Sequence, residues 1–201
     1  FYTDEIKTSF KDYNDAAIIV ISRESGEGTD MWMKDNNNNS KLALSKNEKD
    51  MISMVKSSGK FSKIIVIINT TNQLELDWLE EYDIDACLWT GSVGQWGAAA
   101  IPDLLTGVVN PSGSLVDTWA SNSLSAPACV NSGTNTPKYT NLDEIGKTVK
   151  DAEDDYAYMS TQVEGIYVGY RYYTTRAYED DTFNYDDYVQ YSFGEGYSYT
   201  T

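Results

Sequence analysis

Histidine is missing from this chain altogether and basic residues are scarce: its 201 residues carry 31 carboxylates against 15 Lys and Arg, a formal net charge of −16. Without imidazole, Ser-His-Asp and Cys-His catalysis and every His-containing metal site are excluded within these residues. Acid–base work falls to carboxylates, Tyr or Lys. The acidic excess argues against nucleic acid or an anionic membrane as a partner, since both need a basic face. A neutral sugar is compatible with it, and a well-solvated surface is its simplest cause. Cysteine is limited to Cys87 and Cys129, too distant in sequence for a metal-ligand pair and too few for a disulfide framework. Cys87, in an apolar run, is expected to be a buried free thiol. No stretch approaches the roughly 20 apolar residues of a membrane span, and residues 1–10 are no signal peptide. If the longer protein is exported, its address lies outside this piece.

What is present is a chain long enough for one sizeable core, burying roughly 70% of its unfolded surface. Ala16–Ile21 and Ile64–Ile68 are unbroken apolar runs bounded by turn residues, the pattern of parallel strands buried on both faces. Ala86–Trp89 reads as a third strand, and Leu115–Trp119 as a further short one. Between the first two, Ser45 with Glu48 three residues on is a capping box. Met51, Ile52 and Val55 then fall at helical spacing, and Gly59 is the natural stop. Short helices are expected near Leu74–Leu79 and Ala98–Leu105. Strand–helix alternation of this kind predicts an α/β fold with a doubly wound, mostly parallel sheet. Asp35-Asn36-Asn37-Asn38-Asn39-Ser40 is a polar tract that reads as an exposed excursion, and its Asn38-Asn39-Ser40 is a formal glycosylation sequon. Periodicity fades over about 121–161, which reads as a long irregular surface segment. Gly165–Tyr173 is an aromatic, strand-like run, and another aromatic segment closes the chain.

The first strand ends in Arg23-Glu24-Ser25-Gly26-Glu27-Gly28-Thr29-Asp30. Ligands in open α/β sheets gather at the carboxyl ends of strands. Two glycines allow a tight turn, and Glu27 between them is the candidate acid or base. Glu24 is the fallback, exposed or paired with Arg23, and Asp30 could orient the loop by accepting backbone N–H bonds. A second glycine-rich loop, Gly91–Gly97, carries Trp96, which either borders a sugar or packs between domains.

The loop at Arg23–Asp30 resembles the acid/base loop of glycoside hydrolase family 3. Asn110-Pro111-Ser112-Gly113-Ser114-Leu115 resembles that family's Asn-Pro-Ser-Gly-Arg-Leu segment, and Val168-Gly169-Tyr170-Arg171-Tyr172-Tyr173 its Val-Gly-Tyr-Arg-Tyr-Tyr signature. Phe193-Gly194-Glu195-Gly196-Tyr197-Ser198-Tyr199-Thr200 is similar to its Phe-Gly-Tyr-Gly-Leu-Ser-Tyr-Thr ending. The four stand in the family's order. The resemblance implies the C-terminal, three-layer α/β/α sandwich domain over 1–201. It implies that Glu27 is the general acid/base of a retaining, exo-acting β-glycosidase, β-glucosidase-like or β-xylosidase-like. It further implies that the nucleophilic Asp comes from a separate barrel domain with no counterpart here, so that the chain is an excised, inactive piece of a larger enzyme. Its partners are then a carbohydrate substrate and that barrel. Arg23, Glu24 and Asp30 are supporting candidates and Trp96 a substrate-binding one; no metal or cofactor is expected. Met31 after Asp30, Trp96 within Gly94-Gln95-Trp96-Gly97-Ala98, and Ser114 depart from the family's pattern and bear on substrate preference.

Two other readings stand beside this one. A non-catalytic carbohydrate-binding or scaffold domain would keep the fold without the task. A flavodoxin-like FMN binder is suggested by the hydroxyl-rich Ser22–Thr29, but Glu24 and Glu27 would repel a phosphate.

Overall fold

The computed structural model describes residues 2–26, 31, 33–35, 37–130 and 164–196. A short exposed helix, α1 (Asp4–Ser9), is capped by Thr3, whose hydroxyl accepts the Ile6 N–H. The two β-branched runs then set the centre. β1 (Ala16–Ser22) and β2 (Lys63–Asn69) pair in parallel, with Ile19 opposite Val66 and Ile21 opposite Ile68.

Parallel neighbours need a crossover, and α2 (Lys46–Ser58) supplies it. Its ends are specified locally. Ser45 accepts the Glu48 N–H while the Glu48 carboxylate takes the Ser45 N–H, and Gly59 closes the helix in the left-handed region at φ 59°. Ile52 and Val55, three residues apart on one face, pack with Ala17, Ile19, Ile21, Ile64, Val66 and Ile68 in a single core. Ile52, Val66 and Ile68 are 0% exposed, and burying such a side chain is worth about 1.5–3 kcal/mol.

After α3 (Trp78–Glu81), β3 (Ala86–Trp89) joins the far side of β2, again parallel, giving the order β1-β2-β3. The α/β class and the parallel sheet are as expected. Burial of β1 on both faces is not. Exposure alternates along it: Ala17, Ile19 and Ile21 are buried, whereas Ile18 and Val20 are 53% and 54% exposed. An unbroken apolar run says what each face tolerates and cannot say what covers it. Cys87 is likewise free but exposed, against the expected buried thiol.

The helix expected over Ala98–Leu105 is three short pieces: α4 (Gly94–Gly97), a 3-10 turn at Ala98–Ala100 and α5 (Ile101–Leu105), which starts around Pro102. The strand expected at Leu115–Trp119 is reduced to β4 (Trp119–Ala120). A 3-10 turn at Ser123–Ser125 and α6 (Pro127–Val130) follow. The remainder of the expected irregular segment lies outside the described residues.

Gly165–Tyr173 is not a strand. Gly169 at φ 60° opens α7 (Tyr170–Glu179), in which Arg176 donates to the Tyr172 hydroxyl at 2.7 Å and pairs with Asp180 at 3.5 Å, both four residues away. These pairs add about 0.2–0.5 kcal/mol each, and burial of Tyr173, 3% exposed, favours the helix further despite the β propensity of an aromatic run. β5 (Val189–Tyr191) returns antiparallel to β4, Trp119 opposite Tyr191 and Ala120 opposite Val189. Gln190 is the extra residue of this bulge, and its side-chain carbonyl accepts the Leu76 N–H at 3.1 Å. Trp119 belongs to the main core, while Ala120, Val189, Tyr173 and Phe183 form a second one.

Candidate functional site

All three parallel strands end on one rim, and three loops leave it: residues 23–26, 70–77 and 90–93. They are stitched together. The Asn72 side-chain amide donates to the Ser25 hydroxyl at 3.1 Å, joining the loops after β1 and β2. Trp89 Nε1 donates to the Thr70 carbonyl at 2.7 Å, and the Thr90 hydroxyl to the Ile68 carbonyl at 3.2 Å, tying in the loop after β3.

Arg23 is the best-anchored residue there. Its Nη1 and Nη2 grip Glu48 Oε1 and Oε2 at 2.6 and 3.1 Å, with the two side chains 12% and 19% exposed. Its remaining donors reach the carbonyls of Ser22, Lys41 and Ala43. Burial alone would raise the Glu48 carboxyl; the Arg23 bonds, and then the Ser45 N–H and hydroxyl, outweigh it and hold the group below its ordinary value. Glu24 is exposed and is not the partner of Arg23. The reading that paired them is replaced by Glu48, which the sequence had marked only as a cap. Glu27 and Asp30 lie outside the described residues.

Trp96 stands on α4, which follows a turn with Gly91 and Gly94 at φ 61° and 63°, and is 82% exposed. Among the described residues no hydrogen bond links it to Arg23 or Glu24. Asp35 folds its own tract into a tight turn, accepting from the Asn37 and Asn39 backbone and from the Asn39 side chain. Those bonds, the Asn39 side chain's foremost, lower its carboxyl from the ordinary value. Among the described residues no group of three or more His, Cys, Asp or Glu could hold a metal, and no helix is long and apolar enough to cross a membrane.

Two of the sequence motifs meet each other directly. Ser114 bridges Gly196, the Leu115 N–H donates to the Glu195 carbonyl at 2.7 Å, and the Gly194 N–H donates to the Leu115 carbonyl at 2.8 Å. A Cβ on Gly196, whose φ is 151°, would be driven into the Gly113 carbonyl oxygen and stand 3.0 Å from Ser114 Cα. Glycine is required there by backbone contact. Arg171 lies over the Tyr170 ring at 5.1 Å, and Tyr172 meets Tyr173 edge-on at 5.0 Å. Tyr170 also stacks on Phe193, and Tyr173 is buried with Ala120, Phe183 and Val189, so the signature packs within the fold.

The model of the glycosyl hydrolase family 3 C-terminal domain matches residues 3–199. Beta-glucosidase A of Butyrivibrio fibrisolvens is 33% identical over 94% of this chain and 22% of its own length. A beta-glucosidase of Ruminococcus albus is 30% identical over 93% of this chain and 16% of its own. Among solved structures, beta-glucosidase 3B from Thermotoga neapolitana, in complex with α-D-glucose, superposes with a TM-score of 0.65 at 29% identity, covering 99% of this chain and 24% of that one. The chain therefore spans about a fifth of the length of these relatives.

Proposed function

Because this chain belongs to glycosyl hydrolase family 3, as its C-terminal domain, we propose that it supplies the proton donor of a retaining, exo-acting β-glycosidase. In this reading residues 1–201 are one α/β/α module of a longer polypeptide. Glu27 protonates the leaving glycosidic oxygen and then, as a base, activates the water that releases the sugar. The nucleophilic Asp resides on a barrel domain elsewhere in that polypeptide, so the isolated module is inactive. Retaining chemistry needs the two carboxyl groups about 5–5.5 Å apart. Closure of the barrel over the rim would provide that spacing, along with the apolar walls and opposing charge that keep an acid protonated near neutral pH.

The observation that carries the reading is that the family's acid/base motif leaves β1 at its carboxyl end, on a rim where a bond joins the loops after β1 and β2 and Trp89 ties the end of β3 to Thr70. The named relatives are beta-glucosidases, which favours a terminal glucose-type substrate. The exposed indole of Trp96 supports an apolar contact for a sugar ring on the same rim.

Glu27→Gln in the full-length protein tests it. Turnover of glycosides with poor leaving groups should collapse, by about 10²–10⁴-fold, while glycosides of acidic phenols, which need no proton, should lose far less. Equal losses on both classes would remove Glu27 from the role. Unchanged activity on both, with sugar still bound, would favour the non-catalytic carbohydrate-binding domain instead.

A further inference from the structure

An excursion leaves the sheet at Ser22 and returns at Lys41–Ala43 to start α2, and one guanidinium spans its neck. Arg23 Nε donates to the Lys41 carbonyl at 2.8 Å, Nη2 to the Ala43 carbonyl at 2.8 Å, and Nη1 to the Ser22 carbonyl at 2.6 Å. Two further bonds form the fork with Glu48, so all five guanidinium N–H donors are used. Glu48 is held in turn: its Oε2 accepts the Ser45 N–H at 2.7 Å and the Ser45 hydroxyl at 2.8 Å, at the first turn of α2. The outgoing strand, the returning segment and the helix start are therefore locked to one another.

Resting on the reading of Glu27 as the acid/base, we propose that Arg23, clamped by Glu48, is the positioning residue of the acid/base loop. Stability alone does not explain the arrangement. A buried ion pair is often replaceable by apolar side chains at no net loss. What apolar side chains cannot supply is a planar fork that fixes the relative placement of three segments. Glu27 is four residues from Arg23 and falls within the span whose two ends the guanidinium joins. Neither Arg23 nor Glu48 takes a proton or touches the sugar; they set where the loop stands.

The test uses the full-length protein and a series of aryl glycosides of graded leaving-group acidity, with Glu27→Gln as the reference. Arg23→Lys keeps the positive charge and loses the fork. It should lower kcat on the poorest leaving groups by about 10–100-fold, the penalty of an ångström-scale misplacement. On the most acidic phenols kcat should change by less than about threefold, with KM moving by less than about twofold, because binding contacts are untouched. Glu48→Gln retains the capping bonds and should show the same pattern at smaller size; it carries the test if Arg23→Lys fails to fold. Thermal midpoints are measured alongside. Lower midpoints with a wild-type dependence on leaving group would show a structural role only and overturn the positioning proposal. If Glu27→Gln itself is insensitive to the leaving group, the acid/base reading falls, and this proposal with it.

Discussion

Gly196→Ala tests the contact between the two C-terminal motifs, and Gly113→Ala is its matched control. The new methyl at Gly196 meets backbone on the facing segment, so no rotamer can relieve the overlap. Keeping the geometry means strain of about 1–3 kcal/mol. Letting the segment go sacrifices the Leu115–Glu195 and Gly194–Leu115 bonds, at about 0.5–1.5 kcal/mol each. Phe193, stacked on Tyr170 at 4.3 Å, leaves with it, for about another 0.5–1.5 kcal/mol. The cheaper route sets the loss, so the variant should lose about 1–3 kcal/mol locally. Amide hydrogen exchange at Leu115 and Gly194 should accelerate accordingly, while the Ile52 amide within α2 keeps its protection. A Cβ on Gly113 has nothing within 4 Å, so Gly113→Ala should stay within about 0.5 kcal/mol of the parent. Equal, negligible effects from the two substitutions would refute the contact.

Ile52→Ala removes a fully buried side chain between α2 and the sheet, and urea denaturation should register a loss of about 2–5 kcal/mol; under 1 kcal/mol would contradict the packing. Glu48 has its folded-state pKa below its unfolded one. Its contribution is thus complete above the ordinary glutamate value, about 4.3, and is lost as pH falls through the lowered folded value. Thermal midpoints between pH 5 and 3 should therefore fall less steeply for Glu48→Gln than for the parent, and parallel curves would count against the assignment. Trp96→Ala deletes an exposed side chain and should leave stability within about 0.5 kcal/mol, yet raise KM in the full-length enzyme; an unchanged KM would remove Trp96 from the sugar site.

What was legible in the sequence was whatever is specified within a few residues. The Ser45–Glu48 box and Gly59 bound α2 as expected, because caps are local bonds between near neighbours. The strand at 63–69 announced itself by β-branched residues between turns, and the one at 86–89 by a short apolar run. Hidden were features decided by distant partners. Arg23 had Glu24 beside it in sequence, but the carboxylate that lies within reach comes from 25 residues away on a helix. The aromatic run after Gly165 carries a strand's composition, but it is helical from Tyr170, with Tyr173 buried against Ala120, Phe183 and Val189 from elsewhere in the chain. Glu27 was singled out by motif likeness and lies outside the described residues; the Ser25–Asn72 link and the Arg23–Glu48 fork are contacts that spacing could not reveal.

The bulged pairing of β4 with β5 also dictates an order of assembly. Trp119 and Tyr191 are about 70 residues apart, and closing a loop of that length costs about 4 kcal/mol in chain entropy. The β1–β2 pairing, from Ala16 to Lys63, lies wholly upstream of this ladder, so on synthesis the parallel sheet can condense before the chain has reached Tyr191. The ladder is then a late seal, joining two cores through two adjacent residues, Trp119 in one and Ala120 in the other. A ribosome-bound chain stopped short of residue 189 would hold a finished sheet with its last seam still open.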